Sequence, residues 1–346
     1  MPSIHAGFRR LTTRLRRGYR RYRNSQMWRK VSNASLLSEM FLHDWGGCRL
    51  FVEDIDNDRK KELIWLQSPG MYKSHVYNQF DGIRNYLDVV GRDVFCITAT
   101  DQCGEIMWQV GKPYQGGHPY LSHSTNHILT MGDINGDGHK EILVLDSGNH
   151  LLIIDPLNGS ILDQVKLPSD NYSIVHYLAI QRPVSDFVVL LGVTDCAFPP
   201  HSYGNPWTIL NSRFELVSLQ DYMGAGHSVI IDDINKDGAL EILIGYQLVD
   251  LNGRVLWTLD VLDGKKIDSL EQHVDHIAAF WIDGEWFASI SGSDKQYFIN
   301  AEGRVLWVKD LPHPQFNVIG RHHSENRIFV ANQREIMNSF RLDGKE

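Results

Sequence analysis

Three stretches of this chain repeat one another across a strand, an acidic turn and a second strand. They read LFVEDIDNDRKKELIWL from Leu50, LTMGDINGDGHKEILVL from Leu129 and VIIDDINKDGALEILIG from Val229. A repeat constrains the fold more than composition does, because a unit too small to bury its own apolar face must stack on its neighbours. A second kind of unit follows each copy or its relative: FCITATDQCGEIMWQV from Phe95, LLIIDPLNGSILDQV from Leu151, LVDLNGRVLWTL from Leu248 and YFINAEGRVLWVK from Tyr297. Here two β-rich runs flank a turn that carries Asp or Asn and closes on Gly, which is a hairpin signal.

One acidic-loop pair plus one hairpin makes a four-stranded antiparallel sheet, the blade of a β-propeller, so the chain is expected to be all-β. The distance from Asp133 to Asp233 covers two units of about 50 residues, the size of a long blade. The unit between them, SIVHYLAIQRPVSDFVVLLGV from Ser173 and TILNSRFELVSL from Thr208, keeps the strands and loses the acidic loop. HIAAFWIDGEWFASISG from His276 does the same, turning at Asp283-Gly284. Six units are visible, starting near residues 48, 127, 172, 227, 276 and 315. The last hairpin stops at Leu342-Asp343-Gly344 without the Leu-Trp strand of its siblings, so the last blade is expected to be incomplete unless residues 31–47 supply a strand. The propeller is assigned to residues 45–346, with a long surface insertion from Pro69 to Arg92.

Residues 1–44 read differently. The first 30 hold ten Arg or Lys and no acid, which leaves 24 basic against 42 acidic residues in the rest. Phe8, Leu11, Leu15, Tyr19 and Tyr22 recur at steps of three and four, the stripe of a basic amphipathic helix. Such a segment is read as a solvated helix or a tail on the propeller, with contact to an anionic membrane surface as the sharper alternative. Nucleic acid is not an expected partner, since a short basic helix alone is a weak signal. The acid-free start also has the composition of an organellar transit peptide. No signal-peptide apolar run is seen, so the expectation is a cytoplasmic protein or leaderless export. Cys48, Cys96, Cys103 and Cys196 show no CxxC spacing; Cys96 and Cys103 could face each other across one hairpin, and free buried thiols are the main expectation.

The acidic loops carry the first chemistry. Asp133, Asn135 and Asp137 alternate, with Gly138 next and Glu141 beyond; Asp233, Asn235, Asp237, Gly238 and Glu241 repeat the pattern. The first loop has Asp54, Asp56, Asp58 and Glu62, but Arg59 stands in the glycine position, which makes it the weakest of the three sites. Alternating oxygen side chains converge on one centre, and hard Ca²⁺ prefers such a shell. The expected cofactor is Ca²⁺ in a structural role; an EF-hand is excluded, because the loop lies between strands and lacks a twelfth-position Glu.

The histidines carry the second. His127 lies six residues before Asp133, His227 six before Asp233, and His276 seven before Asp283. All three mark the entry to the first strand of a unit and are expected to ring one mouth of the channel, with the acidic loops at the other. His118, His123, Tyr172, His273 and Asp275 approach the same rim, with Arg321, His322 and His323 less firmly placed. A single histidine at a strand start is usually a satisfied polar residue, and only the ring as a set points to function. His and Tyr beside an Arg suit proton abstraction next to a carboxylate; three His suit Zn²⁺ with an open position.

GAGHSVIIDDINKDGALEILIG followed by QHVDHIAAFWIDGE resembles the propeller of rhamnogalacturonan lyases of polysaccharide lyase family eleven, over roughly residues 45–346. The same loops occur in FG-GAP-type repeats, and the propellers of ulvan lyases are similar. The resemblance implies seven or eight blades, calcium in the loops, and a polysaccharide lyase that cleaves a uronate- and rhamnose-containing acidic glycan by β-elimination. It matches His227 to a G-H strand start and His273 with Asp275 to an H-x-D turn. In this reading His127 or His227 is the base, Tyr172 or His123 the acid, and Arg182 or Arg321 the carboxylate clamp, with His276 on the same rim. The alternative is a non-catalytic calcium-stabilised propeller that binds glycan or protein.

Overall fold

The computed structural model describes residues 49–56, 58–67, 95–113, 129–146, 150–167, 177–181, 186–192, 201–260, 273–332 and 337–345. The chain divides into two compact units, Met1–Phe41 and Leu42–Glu346, and all described residues belong to the second. The expected basic helix, the 69–92 insertion, Cys48 and Cys196 lie outside the described residues.

The described residues form strands in six sheets and no helix, a β-propeller-like arrangement. The first sheet contains β1 (Arg49–Glu53), β2 (Glu62–Gln67), β3 (Cys96–Thr100) and β4 (Ile106–Gly111). The second contains β5 (Leu129–Gly132), β6 (Glu141–Leu145), β7 (His150–Ile154) and β8 (Ile161–Lys166). The third contains β9 (Tyr177–Gln181), β10 (Val188–Gly192), β11 (Trp207–Leu210) and β12 (Leu216–Gln220). The fourth contains β13 (Val229–Asp232), β14 (Glu241–Ile244), β15 (Gln247–Asp250) and β16 (Val255–Thr258). The fifth contains β17 (His276–Ile282), β18 (Glu285–Ser291), β19 (Lys295–Asn300) and β20 (Val305–Asp310), and the sixth β21 (Pro314–His322), β22 (Glu325–Asn332) and β23 (Met337–Arg341). In every sheet consecutive strands pair antiparallel; five sheets have four strands and the last has three among the described residues.

The Asp/Asn-x-x-Gly turns explain the hairpins that close these sheets. Asp250 Oδ1 accepts from the amides of Asn252 and Arg254, while Gly253 takes φ +83°. A register shift follows in the ladder between β15 and β16, and the same shift recurs in the third-to-fourth strand pairs of the other four-stranded sheets. A turn ending in a left-handed residue feeds such a bulge, and glycine takes that conformation without steric cost. In the degenerate third unit Phe214 occupies this place at φ 60° and packs its ring on Phe187, 5.7 Å away. Cys96 is buried at the start of β3 opposite Gly111, whereas Cys103 is exposed in the turn at the far end of that strand. The two thiols therefore do not meet across the hairpin, and Cys103 departs from the expected burial.

Middle strands bury both faces: CITAT in β3 and EILVL in β6 are buried at every position. Each face packs on a different neighbour. Ile64 and Ile97 of the first sheet share a core with Ile142 and Leu152 of the second. Leu190 and Trp207 of the third pack with Ile242 and Val249 of the fourth. Leu243 and Leu248 pack with Trp286 and Ile290 of the fifth, and Phe298 with Ile328 and Phe340 of the sixth.

Tryptophans on the outermost strands then clasp the next sheet. Trp108 on β4 donates its indole N–H to the carbonyl of Pro156 at 2.7 Å, Trp257 on β16 to Ala301 at 3.0 Å, and Trp307 on β20 to Leu342 at 2.9 Å. Each acceptor lies in the hairpin turn of the following unit, whose glycine presses on the indole. A Cβ on Gly303 would stand 2.5 Å from Trp257, and one on Gly159 2.8 Å from Trp108. Asp163 on β8 and Ser218 on β12 hold the tryptophan position in the second and third units. At the latter junction Gln220 and Tyr222 donate to the Gly253 carbonyl instead.

Gly303→Ala is expected to cost about 2 kcal/mol or more, since it combines a left-handed backbone with a collision against Trp257. Gly238→Ala, at φ +88° with nothing within 4 Å of the added methyl, should cost only the backbone share, about 1–2 kcal/mol. Denaturant unfolding of the two variants checks the difference.

Candidate functional site

At one end of the sheets the acidic loops join the first and second strands. In each, an isoleucine points inward between the acidic positions, with Ile55 and Ile234 buried. Its backbone amide donates to the buried glutamate at the head of the second strand: Ile55 to Glu62 at 2.9 Å, Ile134 to Glu141 at 2.7 Å, Ile234 to Glu241 at 2.8 Å. The leading aspartate accepts from the residue in the glycine position: Arg59 to Asp54 at 3.0 Å, Gly138 to Asp133 at 3.1 Å, Gly238 to Asp233 at 3.1 Å. Identical bonds at three sites explain why Asp, Ile and Glu keep their spacing.

These loops could hold a cation. Buried Oδ1 atoms of Asp54 and Asp233 have no hydrogen-bond partner, an expensive state for a carboxylate oxygen. One carboxylate oxygen from each of Asp54, Asp56 and Asp58 lies within 4.8 Å of the others. In the other two loops Asn135 and Asn235 bridge their acids instead, donating to Asp137 at 3.0 Å and Glu141 at 3.0 Å, and to Asp237 at 3.1 Å and Glu241 at 2.9 Å. Burial pushes the Glu241 carboxyl above its ordinary range, and the charges of Asp237 and Asp233 add to the rise. The first loop, ranked weakest from Arg59, gathers its carboxylates most closely; Arg59 adopts φ 70°, and Lys60 Nζ sits 2.7 Å from Asp58.

At the opposite end of the strands a second cluster forms from connecting segments. Two backbones run together there: His227 N donates to Val274 O, and Val274 N to Gly224 O, both at 2.9 Å. A Cβ on Gly226 would stand 2.0 Å from the Val274 oxygen, so only glycine can precede His227. The approach delivers His227, His273 and Asp275 to one point, their ligand atoms all within 4.8 Å of one another. Asp275 is buried, with His273 Nε2 at 3.4 Å, His227 Nε2 at 3.8 Å and His313 Nε2 at 3.6 Å. The His227 and His273 rings meet edge to face at 5.1 Å, and Tyr203 packs on His273 at 5.2 Å. Asp221 holds the adjoining strap, accepting from His201 Nδ1 at 2.6 Å and Ser202 N at 2.8 Å. Two imidazoles and one carboxylate are a donor set for a divalent cation.

His276 stands apart from this set. Its ring packs on Phe316 at 4.4 Å, and its carbonyl accepts from Asn317 Nδ2. His123, His127, Tyr172 and Arg182 lie outside the described residues, as does His118. Arg321, His322 and His323 lie at the β21–β22 turn, the end of that sheet that corresponds to the acidic loops. Sequence reasoning missed His313 and Tyr203. The signal for His313 is its Pro-His-Pro setting, which fixes an extended connection; the residue itself sits at φ 49°. Tyr203 follows His201 in a strap between β10 and β11 that gives no periodic signal.

No protein-family model matches the chain, and no curated protein matches it either. Among solved structures, it is similar to the rhamnogalacturonan lyase YesW, with a TM-score of 0.54 and 15% identity over 86% of this chain and 56% of that one. It is also similar to the V. cholerae biofilm matrix protein Bap1, at a TM-score of 0.49 and 15% identity over 82% of this chain and 43% of that one. The chain thus spans about half the length of these proteins, and the likeness at such identity is one of fold.

Replacement of Arg59 by Gly should stabilise the protein by about 1 kcal/mol, because it relieves a left-handed non-glycine residue. Equilibrium unfolding of Arg59→Gly checks this; an unchanged or lowered stability would show that the side chain compensates for the strain.

Proposed function

We propose that the chain is a polysaccharide lyase of the rhamnogalacturonan or ulvan type, which cleaves a uronate-containing glycan by β-elimination at the cluster around Asp275. The observation that carries the reading is one buried carboxylate ringed by three imidazoles, one of which packs on a tyrosine. The fold shared with a lyase structure is compatible with it, although a fold hosts many activities.

A uronate approaching Asp275 alone would be repelled by like charge. A divalent cation held by His227, His273 and Asp275 would supply the positive charge that offsets the substrate carboxylate and the enolate-like charge of the transition state. His313 is the most open of the three imidazoles, with a side chain 30% exposed against 18% for His227 and 9% for His273. In its neutral form it accepts the proton next to the carboxylate at Nε2. The electron pair left on carbon forms the new double bond as the glycosidic C–O bond breaks. Tyr203 donates its phenolic proton to the leaving oxygen. His123, His127, Tyr172 and Arg182 keep the roles of additional acid, base and clamp on sequence grounds alone. His276 is assigned support of the β21 entry through Phe316.

Ultraviolet absorbance of the unsaturated uronate product, with rhamnogalacturonan and ulvan as substrates, tests the proposal. Activity is expected in the native chain, with His313→Ala and Tyr203→Phe each losing about 10²-fold or more. Absence of product on every uronate polymer, with glycan binding retained, would assign the cluster to binding without turnover.

We assign Ca²⁺ to the three acidic loops in a structural role, on the unpartnered oxygens of Asp54 and Asp233 and the crowded acids around Glu241. Because the Glu241 carboxyl is raised in the folded state, its ionisation opposes folding, and stability falls as pH climbs through the ordinary glutamate range toward the raised value. Added Ca²⁺ should therefore raise the melting temperature more at neutral than at acid pH, and chelation should reverse the gain. A transition indifferent to Ca²⁺ at neutral pH would overturn the assignment.

A further inference from the structure

A cavity of about 620 Å³ opens between the fourth and fifth sheets, at the acidic-loop end. It lies far along the strands from the histidine cluster: β13 runs from the His227 side to the loop that holds Asn235, and β17 from His276 to the turn before Glu285. Its apolar lining comes from the half-buried Trp257, the exposed Leu256 and the buried Leu248 and Trp286. Its polar lining is acidic on balance. Glu285 and Glu302 both reach it, with Asn235 and Asn300 beside them. Neither glutamate has an ion-pair or hydrogen-bond partner through its side chain among the described residues.

Lys236 is the one cation in this lining. Its Nζ donates to the Gly284 carbonyl and lies 5.0 Å from the centre of the Trp281 ring. Two carboxylates against one ammonium leave the lining net negative beside the Trp257 ring. Aromatic faces with carboxylates at the rim attract cations that carry an apolar stem, because the rings favour positive charge and the stem is desolvated at little cost. A volume of this order accommodates a small molecule or a few peptide residues.

We propose that this cavity is a binding site for an organic cation, a guanidinium or alkylammonium group whose charge meets Glu285 and Glu302 while its carbon stem lies against Trp257. The site is separate from the glycan chemistry and does not rest on the lyase reading. The same group could come from a free amine or from an arginine side chain of a protein, and the two sources differ in what else they bring to the walls.

Isothermal titration and tryptophan fluorescence would be run with agmatine, with a capped Gly-Arg-Gly peptide, and with the same peptide carrying citrulline. Saturable binding of the first two is expected, with no binding of citrulline, which keeps the shape and loses the charge. Glu285→Gln with Glu302→Gln should weaken binding at least about tenfold, and matched melting curves would show that this exposed pair leaves the fold intact. His227→Ala should leave the binding unchanged. A peptide that binds more tightly than agmatine assigns the site to a protein-borne arginine, and the reverse order to a free amine. Equal binding of the citrulline peptide, an unaffected double variant, or no saturation of either cation by about 10 mM would overturn the proposal.

Discussion

The second and fourth sheets cannot be stable alone, because their middle strands are buried on both faces. Strands such as EILVL in β6 and EILI in β14 are buried at every position, and such runs occur where both faces of a sheet are covered. Each unit therefore derives its stability from the next, as in other repeat architectures. The tryptophan clasps fall at the outer rim of the same junctions, where burial is least complete and a directional bond adds orientation. Trp257, for example, both packs in the core between the fourth and fifth sheets and donates to Ala301.

That constraint decides how much the sequence could reveal. Features confined to one unit were legible: the Asp-Ile-Asp/Asn loops, the Asp-x-x-Gly turns and the four-strand grouping all rest on neighbours a few residues apart. Gly226-His227 and His273-x-Asp275 were legible as motifs, since a close backbone approach demands the glycine. His313 and Tyr203 were not. His313 reaches Asp275 and Tyr203 reaches His273 from different connections, and which connections meet depends on how whole sheets stack. Trp108, Trp257 and Trp307 recur at one hairpin position, but the donor role of the indole depends on the following hairpin. The proximity of Cys96 and Cys103 was misjudged for a related reason: a hairpin brings its two strands together, not the start of a strand and its own turn.

The two ends of the strands solve opposite electrostatic problems. At the loop end carboxylates outnumber the cations of the chain, which are represented by Lys60 in the first loop, Lys140 beside the second and Lys236 in the third. At the other end a single buried carboxylate is shared among imidazoles whose charge depends on pH. The first arrangement suits a hard ion that neutralises and pins; the second sets imidazole nitrogens around one buried carboxylate, a set that can ligate a cation or move a proton.

The residues around Asp275 also come from separate stretches of the chain. His227 lies between the third and fourth sheets, His273 and Asp275 between the fourth and fifth, and His313 between the fifth and sixth. A stack of nearest-neighbour units tends to lose its order piecemeal, one junction at a time. Any ligand that engages all of these side chains is linked to three junctions at once, and by mass action it favours states in which all three are intact. Occupancy of one small pocket would thus turn four of the six sheets into a single cooperative block.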